Sequence, residues 1–321
     1  MGTIAFIGLG HMGGPMAANQ LAAGHTVRGY DVDPATLSRA AESGVTAFGS
    51  IAEALEGADV CFTMVPKGEH ARAAYLEDGG VLAHADPRTL LVDSSTIDVE
   101  SAQALHDAAA KGGFRFLDAP VSGGTSGAVA GTLTFMVGGD SAVVEEARQW
   151  IDPMAGNIIA TGGPTSGQAA KICNNMMLFI NLQGCAEGAV LADKLGLDPQ
   201  VFWDIASVST GQSWALKTWY PVPGITDTAA ANNEFAATFS TALAAKDAKL
   251  ALAGGKQVGV QLPAAELVSA RFDQLAEAGG GDLDCSAIVA LVNPAAAGVP
   301  DDLKNKLANT NAASTNEENK A

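Results

Sequence analysis

"TIAFIGLGHMGGPMAANQLAAGHTVRGYD", residues 3–31, decides the fold. It opens with a short apolar run of strand length, passes Gly8, Gly10 and Gly13 at G-x-G-x-x-G spacing, and continues into an amphipathic segment that Gly24 closes as a helix. "TVRGYD", residues 26–31, then begins a second strand. Strand, glycine turn, helix and strand in that order make a βαβ unit. Its glycines permit a tight turn, close approach of a pyrophosphate to the backbone, and packing of the helix on the sheet. The helix N-terminus then faces the phosphates. Asp31, at the end of the second strand, stands where a carboxylate accepts from the ribose hydroxyls of a dinucleotide. The same carboxylate repels a 2′-phosphate, and Val32 and Asp33 offer no arginine to hold one. Arg28 lies inside the strand and Arg39 well along the next helix, so NAD is favoured over NADP. The plain alternative is a structural glycine turn.

Alternation of apolar runs with amphipathic segments continues to about residue 165. "DVCFTMV" (59–65), "TLLVDSS" (89–95) and "FRFLDAP" (114–120) read as strands, and "VESAQALHDAAAKG" (99–112) as a helix. "GTLTFMVGG", the helix "SAVVEEARQWI" and "NIIATGG" complete the first domain. Beyond Gly167 the strand pattern ends, and Ala- and Leu-rich helical runs occupy 167–195, 199–207, about 239–257 and 264–278. The expected plan is an α/β protein in which residues 1–165 form a Rossmann-type dinucleotide-binding domain. Residues 166–298 form an all-helical domain for substrate and oligomerisation, entered by a long interdomain helix. Residues 299–321 are expected to be a polar, disordered tail. This plan implies a cleft at the junction.

With 321 residues and 48% apolar content, the chain has material for two cores. Its formal charge of −17 argues against nucleic acid or an anionic membrane as partner, and an anionic substrate would need a local positive site. Cysteines 61, 173, 185 and 285 are scattered, with no C-x-x-C pair, so a reduced, cytoplasmic protein without a bound metal is expected. The first residues lack a basic segment of the signal-peptide kind, and no run reaches the length of a membrane span.

"GQAAKICNNMMLFIN", residues 167–181, carries one lysine in an otherwise apolar helix. Lys171, Asn174, Asn175 and Leu178 share one face, and Ala170, Ile172, Met176, Met177, Phe179 and Ile180 make most of the rest apolar, so the helix is expected to be covered on nearly all sides. Burial of an ammonium is costly and lowers its pKa, which marks a functional group. The alternative is a lysine that snorkels to solvent.

At this point the sequence resembles a known family, the β-hydroxyacid dehydrogenases. "FIGLGHMGGPMAANQLAAGH" (6–25) is similar to its N-terminal signature, "DAPVSGG" (118–124) to its substrate-binding signature, "GQAAKICNN" (167–175) to its catalytic helix and "AKD" (245–247) to a late cofactor motif. The resemblance runs in order from about residue 3 to 293. "YPVPGI" (220–225), "AAANN" (229–233) and "FSTALAAKDAKLALA" (239–253) look most like the branch that oxidises (S)-3-hydroxyisobutyrate to methylmalonate semialdehyde with NAD, in valine breakdown.

The resemblance implies that Lys171 is the general acid/base, with Asn175 one turn on holding the lysine or the substrate oxygens and Asn174 beside it. Ser122, Gly123 and Gly124 would grip a carboxylate; a tight turn after a strand is the plainer reading. Cofactor contacts carry over to Gly8, Leu9, Gly10, His11, Met12, Gly13, Asp31, Met64, Val65, Pro66, Thr96, Gly123, Phe239, Lys246 and Asp247. His70 joins them unless it is merely exposed, and Lys246 with Asp247 is alternatively a solvated ion pair.

The segment from Trp203 to Lys249 holds no arginine, which disfavours a phosphorylated sugar acid. Trp214, Trp219, Phe235 and Phe239 suit a small methyl-bearing substrate or belong to the core, with Trp214 the first choice for the pocket. A methyl group discriminates by only about 1–3 kcal/mol, so 3-hydroxypropionate, or reduction of tartronate, succinic or malonic semialdehyde, stays open. Imine reduction on this fold is disfavoured by Lys171, and a non-catalytic NAD sensor by the joint presence of Ser122, Lys171 and Asn175. The family pairs through its helical domains, which implies a homodimer or homotetramer.

Overall fold

The computed structural model describes residues 1–308. They form two compact units, divided between Ile172 and Cys173.

The first unit is built on a nine-stranded sheet. Its strands are β1 (Thr3–Ile7), β2 (Thr26–Tyr30), β3 (Thr46–Ala47), β4 (Val60–Thr63), β5 (Leu90–Asp93), β6 (Phe116–Asp118), β7 (Val121–Ser122), β8 (Leu133–Gly138) and β9 (Ala155–Gly162). They run in the order 3-2-1-4-5-6-8-7, with β9 paired to β8. The first six are parallel, β8 is antiparallel to β6 and β7, and β9 is parallel to β8. Side chains of β1 alternate between two cores: Ile4 and Phe6 pack with Met16, Val60 and Leu117, whereas Ala5 and Ile7 pack with Tyr75, Leu91 and Leu105. A sheet buried on both faces explains why its strands read as continuous apolar runs.

Strand register places the functional loops. Tyr30 pairs with Ile7, Ile7 with Thr63, Thr63 with Asp93, and Asp93 with Asp118, so the C-terminal ends of five strands form one row. The turns beginning at Gly8, Asp31, Met64 and Ser94 leave the sheet along that row, where open α/β sheets bind ligands. Helices begin where the sequence supplies caps: Asp33 accepts from Ala35 and Thr36, Asp98 from Ser101, and Asp140 from Ala142 and Val143.

In the second unit, the helix Ser166–Lys194, which crosses the division, is followed by Pro199–Ala206, Trp214–Thr218, Thr241–Val258 and Pro263–Leu275. Phe179, Leu182, Tyr220, Phe235, Phe272 and Ile288 lie at the centre of their core. No helix among the described residues is long and apolar enough to cross a membrane.

The two-residue strands β3 and β7 are too short to show a period in the sequence. Two expectations need correction. The helix Ser166–Lys194 is not covered all round: Lys171, Ile172, Asn175, Phe179, Leu182, Ala186 and Ala189 line a buried face, while Met177 and Leu191 are exposed. Nor does the expected tail begin at 299. Residues 301–308 are helical, and Val299, Leu303 and Leu307 are buried in the second core. Their i, i+4, i+8 spacing is an apolar stripe that the polar composition hides. The remainder of that expected tail, 309–321, lies outside the described residues.

Candidate active site

Glycine is required at the first turn by steric facts. Gly8 has φ +90°, and a Cβ there would overlap the carbonyl oxygen of Met64; a Cβ on Gly13 would overlap that of Gly8. At Gly10 a Cβ would meet nothing within 4 Å. That open space in front of the helix Gly13–Ala22 is a cradle into which a pyrophosphate fits. Asp31 braces the turn as well as facing it. Its Oδ2 accepts from the Leu9 amide at 2.7 Å and its Oδ1 from the Asp33 amide at 2.8 Å, each oxygen keeping a lone pair for a ribose hydroxyl. Leu9 itself sends its side chain into the core, His11 is exposed and Met12 half-buried, so a ligand meets Leu9 through its backbone.

Next along the row, the Met64 amide donates to Ile7 O at 2.8 Å and the Val65 amide to Ser95 Oγ at 2.9 Å. Ser95 Oγ in turn donates to Asp93 Oδ1 at 2.7 Å, as does Thr63 Oγ1 at 2.6 Å. Burial pushes the Asp93 carboxyl above the usual carboxylate range, against the lowering effect of these donors. The turns carrying Met64, Val65 and Pro66 and carrying Thr96 are thus tied to one buried carboxyl group. His70 is exposed, beside Glu69 at 3.8 Å.

Lys171 is buried, at 7% exposure, so the snorkelling alternative fails. The start of its helix is seated on β6 through Asp118. That carboxylate, fully buried, accepts from the amides of Thr165 at 2.9 Å and Gln168 at 2.8 Å, and its Oδ1 lies 2.8 Å from His106 Nε2. Thr165 sits at φ +67°, a left-handed conformation that a non-glycine residue keeps only when its surroundings hold it. Ser122 is half-buried in β7, paired with Thr134, and is followed by Gly123 at φ +139° and Gly124 at φ +65°. The first angle needs glycine and the second favours it, and the pair turns the chain into the helix Gly124–Ala130.

Within the second unit, Asn175 Nδ2 donates to Asp247 Oδ2 at 2.7 Å, and Lys246 Nζ lies 2.8 Å from Asp247 Oδ1. Asp247 is only 3% exposed, so this is not a solvated pair. Asn174 Nδ2 donates to Asn175 Oδ1 at 3.3 Å. Among the aromatics, Phe235 and Trp219 are core, whereas Trp214 is half exposed and Phe239 half-buried. Trp214 packs edge-on to Trp219 at 5.0 Å, and Trp219 stacks on Phe239 at 6.3 Å.

Sequence reading missed the residues that position these groups: Asp93, Ser95, His106, Asp118 and Gln168. The available signal was polar residues closing apolar strands, as in "VDSS" and "LDAP", where solvation is lost at the strand end.

Comparison with known proteins identifies the family. A family model described as the NAD binding domain of 6-phosphogluconate dehydrogenase matches residues 3–163, and one described as NAD-binding of NADP-dependent 3-hydroxyisobutyrate dehydrogenase matches residues 165–292. The chain is 48% identical to a probable 3-hydroxyisobutyrate dehydrogenase of Mycobacterium tuberculosis over 90% of its own length and 97% of the relative's. It is 40% identical to an NAD-dependent L-serine dehydrogenase of Pseudomonas aeruginosa, covering 92% and 99%. The solved Mycobacterium tuberculosis 3-hydroxyisobutyrate dehydrogenase with L-serine superimposes with a TM-score of 0.85 at 47% identity, covering 91% and 99%.

Proposed function

Because this chain belongs to the β-hydroxyacid dehydrogenase family, alongside the 3-hydroxyisobutyrate dehydrogenases, and is an NAD-dependent oxidoreductase acting on CH–OH groups, we propose that it oxidises (S)-3-hydroxyisobutyrate to methylmalonate semialdehyde, a step of valine breakdown. The observation that carries the reading is Lys171, buried on a helix whose start is seated on the end of β6 and hydrogen-bonded through Gln168 to the turn after β5.

Gly8, Gly10, Gly13 and Asp31 hold the cofactor in this reading, with Val65, Pro66 and Thr96 toward its nicotinamide end. NAD, when bound, accepts a hydride from the carbinol carbon. Lys171 Nζ takes the hydroxyl proton in oxidation and returns it in reduction. Ser122 Oγ and the amides of Gly123 and Gly124 take the substrate carboxylate, supplying the local attraction that an acidic protein otherwise lacks. Asn175, four residues beyond Lys171 on the same helix, orients the reacting oxygen, with Asn174 beside it. Trp214 and Phe239 offer the apolar contact for the methyl branch. A cytoplasmic homodimer or homotetramer belongs to the same reading.

A second reading comes from the serine-acting relative. L-Serine is also a 3-hydroxy acid, with an ammonium group where 3-hydroxyisobutyrate has a methyl, and an aromatic ring face can take either, the ammonium by a cation–π contact. Initial rates with NAD and with NADP on both enantiomers of 3-hydroxyisobutyrate, on L-serine, 3-hydroxypropionate, glycerate and 4-hydroxybutyrate test the choice. The expected outcome is the highest kcat/KM for the S isomer with NAD. A preference for L-serine, glycerate or 4-hydroxybutyrate would move the enzyme to another branch. Lys171→Ala is expected to abolish turnover and leave NADH binding, followed by fluorescence, nearly intact; parallel loss of binding would count against the proton-transfer role.

A further inference from the structure

Gln168 lies three residues before Lys171, is fully buried, and uses its whole side-chain amide on one turn. Its Nε2 donates to Ser95 O at 2.7 Å and its Oε1 accepts from the Ile97 amide at 3.1 Å, bracketing Thr96 between the two bonds. Ser95 also holds the neighbouring turn, since its Oγ accepts from Val65 N at 2.9 Å while donating to Asp93. One continuous set of hydrogen bonds therefore runs from Val65 through Ser95 to Gln168. The Gln168 amide nitrogen, bonded to Asp118 Oδ2 at 2.8 Å, fixes the helix itself to β6. A buried glutamine with both amide atoms satisfied by main chain is a costly choice where packing alone would serve.

We propose that Gln168 is a positioning residue: its side chain locks the turn bearing Thr96 to the helix bearing Lys171, and so sets where the proton-transfer group stands relative to the cofactor-facing turns. This rests on the proposed role of Lys171. A helix freed from the turn can slide by a fraction of an ångström, and a displacement of about 1 Å costs on the order of a hundredfold in rate.

The test uses the full-length enzyme with Gln168→Met, which keeps the volume and removes both bonds, and Gln168→Glu, whose protonated form can remake both. Gln168→Met is expected to lower kcat about tenfold to a hundredfold, raise the primary deuterium isotope effect, and leave NADH affinity by fluorescence titration within about threefold. The kcat of Gln168→Glu relative to wild type is expected to rise as pH falls, because protonation restores the donor to Ser95. A lowered melting temperature with wild-type kcat and isotope effect would make Gln168 merely structural and overturn the proposal. Lys171→Ala alone decides the proton-transfer reading, so the two failures are told apart.

Discussion

Gly167→Ala isolates the seating of the lysine helix. A Cβ on Gly167 would stand 2.5 Å from Asp118 O and in overlap with Met136 O, both main-chain atoms of the sheet, which cannot rotate aside. Ordinary contact begins at 3.4 Å, so relief of the Asp118 contact alone needs a retreat of 3.4 minus 2.5, or 0.9 Å, and the closer Met136 oxygen asks for no less. Overpacking of this kind costs about 1–3 kcal/mol. For a unit of this size that corresponds to a melting temperature lowered by about 2–12 °C. The same retreat moves Lys171, one turn along, and should lower kcat by about tenfold to a hundredfold. Gly184→Ala, on the exposed face of the same helix with nothing within 4 Å of the added carbon, is the control. It should gain about 0.5–1 kcal/mol and keep wild-type kcat. Thermal melts by circular dichroism and initial rates at saturating NAD measure both. If Gly167→Ala melts with Gly184→Ala and turns over like wild type, the helix start is not packed against those carbonyls and the seating is wrong.

Three other outcomes are expected. Asp31→Asn should raise KM for NAD about tenfold or more with little change in kcat, and raise the NADP/NAD ratio, because both charge-assisted acceptance and repulsion of a 2′-phosphate are lost; an unchanged ratio would refute this role. The raised carboxyl of Asp93 contributes stability that is fully present below its ordinary pKa of 3.8 and is lost as pH rises through its folded value. Denaturant unfolding of wild type and Asp93→Asn between pH 4 and pH 8 should therefore show the wild type losing ground to the variant as pH rises, by at most about 1.4 kcal/mol per pH unit, and a constant difference would contradict it. Of the four thiols, Cys173 is exposed whereas Cys61, Cys185 and Cys285 are buried with burial raising their pKa, so a maleimide should label Cys173 first and reach the others only after unfolding, as peptide mapping would reveal.

Much of this enzyme is legible in its sequence because the relevant signals are local. Gly8, Gly10 and Gly13 announce themselves by spacing, since the backbone conformations and close approaches they permit follow from having no side chain. Lys171 stands out because a charge in an apolar helix is rare, and the helix Ser141–Ile151 is found to the residue because its period and its Asp140 cap lie in one short segment. Tertiary structure alone decided the rest. That Asp93 is a buried anchor, that Asp118 receives the start of the lysine helix, and that Gln168 spends both ends of its amide on Ser95 and Ile97 depend on partners 30 to 73 positions away in the chain. Nothing local distinguishes these polar residues from solvated ones; they become structural when register aligns the ends of β4, β5 and β6 and removes the water that would otherwise satisfy them.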